Sequence, residues 1–262
     1  MSQNQGKNRG KNQKEMTDFI LSQFDTIPDQ PVTRLTYGAH IVAVESRSMG
    51  LATWASEKHP VPIEDLPDPG QTVSVKELAQ LLHDDNPLKS SLGLAALNSL
   101  LPDPAPEDLA DLNAGDLIMD LGKEKKVAVI GHFPFVARMQ GCFKEFMVFE
   151  KKPQSRDLAA DLIPQHLPSA DIVAITATTV SNKTLARILS HCSSSATKLI
   201  LGPSTPLSPA LFELGFDYIA GTVVKDKDLA RQGIENGLAF KHLQGVKHVI
   251  LSADNYRYQP TR

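Results

Sequence analysis

Cysteine is scarce in this 262-residue chain, and long apolar runs are missing. The two cysteines, Cys142 and Cys192, cannot form a disulfide framework. Apolar runs such as Val127–Ile130 span a few residues, whereas a helix that crosses a bilayer needs about 20. The N-terminus also lacks the apolar stretch of a secretory signal. We therefore expect a soluble cytoplasmic protein with no membrane span.

After residue 14 the chain has no excess of basic over acidic residues. The formal net charge is −3. Residues 1–14 carry four basic residues and no acid, which leaves 23 basic and 30 acidic residues in the remainder. A nucleic-acid-binding body would need clustered Lys and Arg to neutralise phosphates, so no nucleic-acid partner is expected. The Gln, Asn, Gly and Lys of residues 1–14 predict a disordered tail, although a basic arm for an anionic partner is an alternative.

Several catalytic and metal-binding signatures are absent. The chain has no Walker loop and no Gly-x-Ser-x-Gly elbow. Its eight scattered histidines form no HExxH motif, and its two cysteines form no CxxC motif. Adjacent His191 and Cys192 would point to different faces of a helix, so this pair alone does not predict a tetrahedral metal site. A zinc enzyme is disfavoured, and the metal ligands stay unassigned.

The proline-rich segment Pro102–Pro106 predicts a linker between two domains, because three of its residues lack backbone donors. Residues 15–103 read as a small α+β domain: a helix over Met16–Phe24, three short strands, and helices over Val73–Leu82 and Leu88–Leu101. Ser74 and Glu77 stand at capping-box positions before the second of these helices. Residues 104–262 form the other predicted domain.

The second half alternates short apolar runs with helical segments. Most of the runs are continuous, as expected for strands covered on both faces. This alternation predicts a doubly wound, mostly parallel α/β sheet. The predicted strands begin near residues 127, 146, 171, 198, 217 and 248, and the predicted helices are Val136–Phe143, Asp157–Ile163, Asn182–Cys192, Pro209–Leu214 and Asp228–Asn236.

Ligands of such sheets bind beyond the carboxyl ends of the strands, where the strand order reverses. Helix N-termini there would add backbone N–H groups for a polar or anionic ligand. Small and hydroxylic residues follow the predicted strands. The candidate ligand-binding residues at these positions are Gly131, Glu150, Thr176, Thr178, Asn182, Thr184, Gly202, Pro203, Ser204 and Thr205, together with His132 as the candidate catalytic residue.

The turn after the first of these strands, Gly131–Pro134, lacks the second and third glycines of a dinucleotide-binding loop, which disfavours ordinary NAD binding. Glu150 ends the next strand, where an acid would accept hydrogen bonds from ribose hydroxyls. A solvated loop carboxylate is the alternative. His132 is a candidate general acid or base, a metal ligand or hydrogen-bond donor, or a packed turn histidine.

The hydroxyl-bearing residues have two interpretations as well. Thr176, Thr178, Asn182 and Thr184 either line a pocket or serve as helix caps. Ser204 and Thr205 lie between two prolines, and this stiff loop either holds an anionic group or simply makes a turn. The cofactor stays open, because a nucleotide, an S-adenosyl compound and other polar ligands suit Glu150 equally.

Four blocks together resemble the "Putative heavy-metal chelation" family: Leu92–Asn98, Val127–Pro134, Asn182–Thr184 and Leu201–Pro206. The resemblance covers most of residues 15–250. It implies an enolase-N-terminal-like domain followed by a Rossmann-like domain, with an active site in the cleft between them. The residues it carries over are Asn98, Gly131, His132, Asn182, Thr184, Gly202, Pro203, Ser204 and Thr205.

Two functions compete at this point, and a regulatory or assembly protein whose cleft is vestigial is a third alternative. The first is an enzyme or enzyme-like protein that acts on a small polar or anionic metabolite in heavy-metal chelation or chelator metabolism. Its site would lie in the interdomain cleft. The second is a non-catalytic module that binds a metal–chelate complex through the same hydroxyl-rich turns. A homodimer is the assembly we consider, since Rossmann-like sheets with an added domain often dimerise.

Overall fold

The computed structural model describes residues 11–55, 66–68, 73–106, 109–110, 113–154 and 156–254. The first part of the chain combines three helices with one antiparallel sheet in the order β1–β2–β3. This agrees with the α+β pattern expected there. Its elements are α1 (Gln13–Ser22), β1 (Arg34–Tyr37), β2 (Ile41–Glu45), β3 (Met49–Thr53), α2 (Val75–Ala79) and α3 (Pro87–Leu100).

Helix α1 begins earlier than the composition suggested. The Asn12 side chain accepts a hydrogen bond from Glu15 N, and the Glu15 carboxylate accepts one from Asn12 N, so a capping box starts the helix. The prediction of a disordered tail over residues 1–14 is therefore wrong for residues 12–14. Residues 1–10 lie outside the described part of the chain. Ser74 caps α2 as predicted, by accepting from Glu77 N.

Helix α3 is the centre of the first part. Asn86 caps it through Leu88 N, and Pro87 supplies a first helical residue that needs no hydrogen-bond donor. Its apolar residues lie on all sides, which is typical of a helix buried all round. One side approaches β3 so closely that a Cβ added at Gly50 would lie 2.2 Å from Ala95 O and Ser99 N.

The second part forms an eight-stranded sheet in the order β4–β11–β10–β9–β8–β5–β6–β7. The six strands from β10 to β7 are parallel, while β11 pairs antiparallel with both β10 and the edge strand β4. The strands are β4 (Leu109–Ala110), β5 (Lys126–Ile130), β6 (Glu145–Glu150), β7 (Leu158–Ala159), β8 (Ile172–Thr176), β9 (Thr197–Leu201), β10 (Tyr218–Val224) and β11 (Val246–Ser252).

Both faces of this sheet are covered, which confirms the doubly wound α/β class. Alternate residues of β5 enter different clusters: Val127 and Val129 on one face, Ala128 and Ile130 on the other. The helices of this part are α4 (Ala114–Leu121), α5 (Val136–Met139), α6 (Ile163–His166), α7 (Thr178–Ser181), α8 (Leu185–His191), α9 (Ala210–Glu213) and α10 (Lys227–Glu235).

The segment after β6 departs from the prediction. A helix was expected over Asp157–Ile163, but the chain forms the short strand β7, a 3₁₀ turn over Ala160–Leu162, and then α6. Two residues of β7 pair in parallel with Phe149 and Glu150. Pairing with a neighbouring strand therefore overrides the local helical spacing, and this change sets the position of Asp157.

The two parts share one core. Residues of α3 and of β8 belong to the same buried cluster. The outer face of β2 and β3 packs on α10, with Ile41 and Leu51 against Ala230 and Ile234. The Arg231 side chain donates from Nε to the buried Glu45 at 3.0 Å across this contact. The strand order reverses between β5 and β8, so their carboxyl ends define the switch point of the sheet.

Candidate functional site

The switch point is built around a glycine. Gly131 follows β5 with φ of +102°, a conformation that disfavours residues with a Cβ. A Cβ added there would lie 3.0 Å from Thr176 Cγ2, so the ends of β5 and β8 approach closely. Thr176 Oγ1 lies 2.9 Å from Thr178 Oγ1, which places two predicted hydroxyls next to Gly131.

His132 follows Gly131 and pairs with a residue that the sequence pattern had assigned to a helix. Its Nδ1 lies 3.0 Å from Asp157 Oδ2. The Asp157 side chain is 4% exposed and the His132 side chain 36%. A carboxylate only accepts hydrogen bonds, so in the neutral imidazole this contact favours the tautomer with the proton on Nδ1 and with Nε2 as the acceptor. Gln154 N also donates to Asp157 Oδ2 at 3.0 Å, which fixes the carboxylate.

Glu150 has a different setting from the one predicted. Its Oε1 accepts from His132 N at 2.7 Å, and its Oε2 accepts from Lys151 N at 3.0 Å. Both oxygens therefore already accept backbone hydrogen bonds, and the carboxylate anchors the main chain at His132. A ribose hydroxyl would have to share these oxygens with the backbone.

Gly202, directly after β9, also lies beside this group. Its φ is +115°, and a Cβ added there would lie 4.0 Å from Phe133 Cε1. Phe133 also lies 3.5 Å from the Cβ position of Gly131 and stacks on Phe135, with ring centroids 5.1 Å apart and planes 3° apart. We call this group the switch-point cluster: Gly131, His132, Phe133, Glu150, Asp157, Thr176, Thr178 and Gly202.

The helices beside this cluster are short. Helices α5, α7 and α9 have four residues each. Few peptide dipoles align in a helix of one turn, so the expected field at the helix N-termini is small. Hydroxyls and the imidazole are therefore the main polar groups that the cluster offers to a ligand.

Ser204 and Asn98 lie at the contact between the two parts of the chain. Ser204 is 1% exposed, and its Oγ accepts from Thr53 N at 2.8 Å. Asn98 Nδ2 donates to Leu51 O at 2.9 Å and to Ser204 O at 3.2 Å. These hydrogen bonds join β3, α3 and the loop after β9. The buried Ser204 thus holds the two parts together, and its Oγ serves an internal hydrogen bond.

A cavity of about 30 Å³ lies next to these hydrogen bonds. Residues of both parts form its walls, including Gly50, Asn98, Pro203, Thr205 and Thr222. We call it the junction cavity. Asp103 also lines it and pairs with Lys225 at 2.9 Å.

Asn182 and Thr184 form a third group. Thr184 Oγ1 donates to Asn182 Oδ1 at 2.6 Å, just after α7. Between them Lys183 has φ of +62°, and its amine donates to Leu82 O in the first part of the chain. Burial lowers the pKa of the Lys183 amine, partly opposed by Asp85 and Asp84. This turn therefore attaches α2–α3 to the sheet.

The predicted residues thus fall into three groups. The switch-point cluster holds six of them. Four lie at the contact between the two parts of the chain, which we call the junction: Asn98, Pro203, Ser204 and Thr205. The last two, Asn182 and Thr184, lie in the turn after α7. Asn182 N donates to Thr178 O at 2.9 Å at the end of α7, so the backbone joins this turn to the switch-point cluster, while Asn182 Oδ1 accepts from Thr184. The loop Gly202–Thr205 links the first two groups, because Gly202 faces Phe133 while Ser204 and Thr205 face the junction. The sequence of this loop does not indicate that its two ends face different groups.

The pattern missed Asp157, Phe133 and Thr222. A polar residue near the end of a strand predicts a site position, but Asp157 was assigned to a helix, and Phe133 is apolar and was given no role. Thr222 lies within β10, where it could have been found only by counting which strand residues face the first part of the chain.

Soft metal ligands are not gathered in the described ranges. No group of three or more His, Cys, Asp or Glu side chains there is placed to hold a metal ion. Cys142 is exposed, while burial raises the pKa of the Cys192 thiol to about 12. Within the part of the chain described, no helix has the length and apolarity needed to cross a membrane.

Comparisons with known proteins agree with the fold. Two family models, both described as "Putative heavy-metal chelation", match residues 113–251 and 4–101. A crystal structure of a protein of unknown function from Desulfitobacterium hafniense is similar, with a TM-score of 0.77 and 27% identity over 92% of this chain and 98% of that one. A protein of unknown function from Pyrococcus horikoshii shares the fold, with a TM-score of 0.75 and 20% identity over 90% of this chain and 98% of that one.

A curated relative, an uncharacterised protein of Methanocaldococcus jannaschii, is 27% identical over 163 residues, or 60% of this chain. The match spans 63% of the length of that relative. Both crystal structures come from the family whose model matches residues 113–251.

Proposed function

This chain belongs to the "Putative heavy-metal chelation" family, and on that premise we propose that it is an enzyme acting on a small polar or anionic metabolite of metal-chelator metabolism. The site is the switch-point cluster, extended along the loop Gly202–Thr205 toward the contact between the two parts of the chain. His132 transfers the proton, and the Thr176 and Thr178 hydroxyls bind the polar or anionic group in place of Ser204 and Thr205, which are buried at the contact between the two parts.

The pairing of His132 with the buried Asp157 carries this proposal. A buried carboxylate that holds Nδ1–H fixes the tautomer, so Nε2 is available to take a proton from a ligand. A second pair, His83 with Asp18, offers a contrast. Its histidine is equally exposed at 36%, but its aspartate is 53% exposed and the pair lies away from the switch point, 3.3 Å apart.

The bound metal is substrate or cargo in this proposal. Heavy metals prefer sulfur and nitrogen ligands, whereas the switch-point cluster supplies hydroxyls, carboxylates and one imidazole. The cluster therefore suits the oxygen- and nitrogen-bearing groups of a chelator or its precursor better than a bare metal ion.

Thermal-shift screening tests binding first. The probes are adenosine nucleotides, S-adenosyl compounds, carboxylate chelators and their divalent-metal complexes. A ligand present at about 100 times its Kd stabilises the fold by about 2.7 kcal/mol. Probes that bind are then incubated with the protein, and products are separated by liquid chromatography and mass spectrometry.

The variants His132→Gln and Asp157→Asn test catalysis, with His83→Gln as the matched control. His132→Gln should lower turnover by about 10² to 10⁴-fold while Kd changes little. His83→Gln should leave both unchanged. If a probe binds tightly but is recovered without any product, the enzyme proposal fails and the protein is a non-catalytic module for a metal–chelate complex.

A further inference from the structure

Three residues that line the junction cavity each have a buried side-chain oxygen without a hydrogen-bond partner. Among the described residues, Asn98 Oδ1, Thr205 Oγ1 and Thr222 Oγ1 are buried side-chain atoms with no hydrogen-bond partner. All three residues line this one cavity. Buried polar atoms are nearly always hydrogen-bonded, so three such atoms around one small space point to a bound species.

The amide of Asn98 has a fixed orientation. Both N–H groups of Nδ2 are engaged, with Leu51 O and Ser204 O, and two carbonyls can only accept hydrogen bonds. The orphan Oδ1 is therefore an acceptor that needs a donor or a positive charge. The same two hydrogen bonds hold Asn98 between β3 and the loop after β9.

The two hydroxyls complete a set of neutral oxygen donors. Thr205 is 3% exposed, and each hydroxyl offers lone pairs to a positive species while its own proton turns away. An anion would face Asn98 Oδ1 and the carboxylate of Asp103, so this cavity does not suit the anionic group predicted for Thr205. Its chemistry favours a cation.

The charge of the walls limits the valence of that cation. Asp103 is the one carboxylate among the lining residues, and Lys225 already neutralises it at 2.9 Å. Divalent ions such as Ca²⁺ are held by several charged oxygens, and softer metals by sulfur or nitrogen. A space of about 30 Å³ holds one or two water-sized species.

We propose that the junction cavity binds a small monovalent cation, Na⁺, K⁺ or ammonium, through Asn98, Thr205 and Thr222. Walls from both parts of the chain surround it, so the bound ion joins β3 and α3 to the ends of β9 and β10. This site shares the loop Gly202–Thr205 with the extended site of the proposed function, but cation binding here does not depend on that function.

The experiment measures Tm of the full chain in chlorides of sodium, potassium and ammonium. Choline chloride at equal ionic strength is the reference, because choline is too large for the cavity. At ten times its Kd, the preferred ion should raise Tm by about 3 °C relative to choline. Equal Tm in all four salts would overturn the proposal, since water alone would then fill the cavity.

The double variant Thr205→Val/Thr222→Val removes two oxygens and keeps the side-chain shape. It should lose the ion-dependent rise in Tm and, in choline chloride, should melt no lower than the wild type, because two orphan hydroxyls are gone. Each single variant should lose part of the rise. Retention of the full rise in the double variant would overturn the proposal.

Thr17→Val is the matched control. Thr17 is 2% exposed, its hydroxyl donates to Gln13 O at 3.1 Å within α1, and it does not line the junction cavity. This variant should melt lower in every salt but keep the ion-dependent difference intact. A lost difference in Thr17→Val would mean that the ion acts on the whole fold rather than at this cavity, and would also overturn the proposal.

Discussion

The switch-point cluster and the junction differ in how their polar groups are held. The switch-point cluster has a half-exposed histidine, charged partners and backbone contacts from the second part of the chain alone. The junction has buried neutral oxygens and hydrogen bonds drawn from both parts. Proton transfer needs the first arrangement, whereas holding two layers together needs the second. Substitutions in the two regions should therefore have different consequences for stability.

Substitution of one glycine in each region should give the largest difference in unfolding free energy. Gly50→Ala places a Cβ 2.2 Å from the α3 backbone, which cannot move without shifting the helix, so we expect a loss of more than about 4 kcal/mol in unfolding free energy. Gly202→Ala strains only φ and should cost about 1–3 kcal/mol. Urea unfolding followed by circular dichroism compares them. A smaller loss for Gly50→Ala would contradict the close packing of the junction.

The next effect concerns two ion pairs. Arg231→Met leaves the Glu45 side chain, which is 9% exposed, without its partner, so we expect a loss of about 2–3 kcal/mol. The double variant Arg231→Met/Glu45→Leu should recover most of that loss. Arg138→Met is the control, because its pair with Asp116 is about half exposed and should contribute under about 0.5 kcal/mol. Equal losses in the two single variants would show that burial of Glu45 is unimportant.

Hydroxyl removal should have a smaller effect. Ser204→Ala leaves the Thr53 amide without its acceptor, and we expect a loss of about 1–2 kcal/mol. Thr178→Val at the switch-point cluster removes only a contact with Thr176 and should cost about 0.5 kcal/mol. Chemical denaturation measures both. A greater loss for Thr178→Val would reverse the comparison between the two regions.

The last expected effect is a loss of stability at alkaline pH. Burial raises the pKa of the Cys192 thiol to about 12, and burial with the charge of Asp68 raises that of the Tyr37 phenol to about 12. The folded chain keeps these protons after the unfolded chain has begun to release them, near pH 8.5 for cysteine and 10 for tyrosine. Their contribution to stability is therefore complete below about pH 8.5 and is lost as the pH rises toward 12.

Urea midpoints measured from pH 8 to 10.5 test this dependence. The wild type should lose stability across the range, and the variants Cys192→Ala and Tyr37→Phe should each lose less. A thiol reagent such as iodoacetamide gives a second measurement: the exposed Cys142 should react in the native protein and Cys192 only after unfolding. Equal native reactivity of both thiols would contradict the burial of Cys192.

The sequence was informative wherever local pattern and burial agree. The apolar run from Val127 to Ile130 predicted β5, which the structure forms over Lys126–Ile130. Asp157 shows where the pattern fails: a two-residue strand that pairs with β6 is too short to leave a periodic signal. The antiparallel β11 is a similar case, because the intervening α10 is typical of a parallel crossover.

The candidate site was predictable in composition but less so in arrangement. Gly131, His132 and Thr176 lie where the rule for strand ends places them. Glu150 also ends its strand, but the fold uses its oxygens to anchor the backbone at His132. Ser204 and Thr205 were predicted beside a ligand, and their burial against β3 and α3 depends on how two distant segments pack, which no local pattern encodes.

The family models divide the chain at residues 102–112, but α3 packs against both sides of that division. Its apolar surface continues into the core of the larger sheet. Expression of either half alone would expose that surface to water, so the separated pieces should aggregate rather than fold. The unit that can be fused or transplanted intact is thus the two parts together, even though two separate family models describe them.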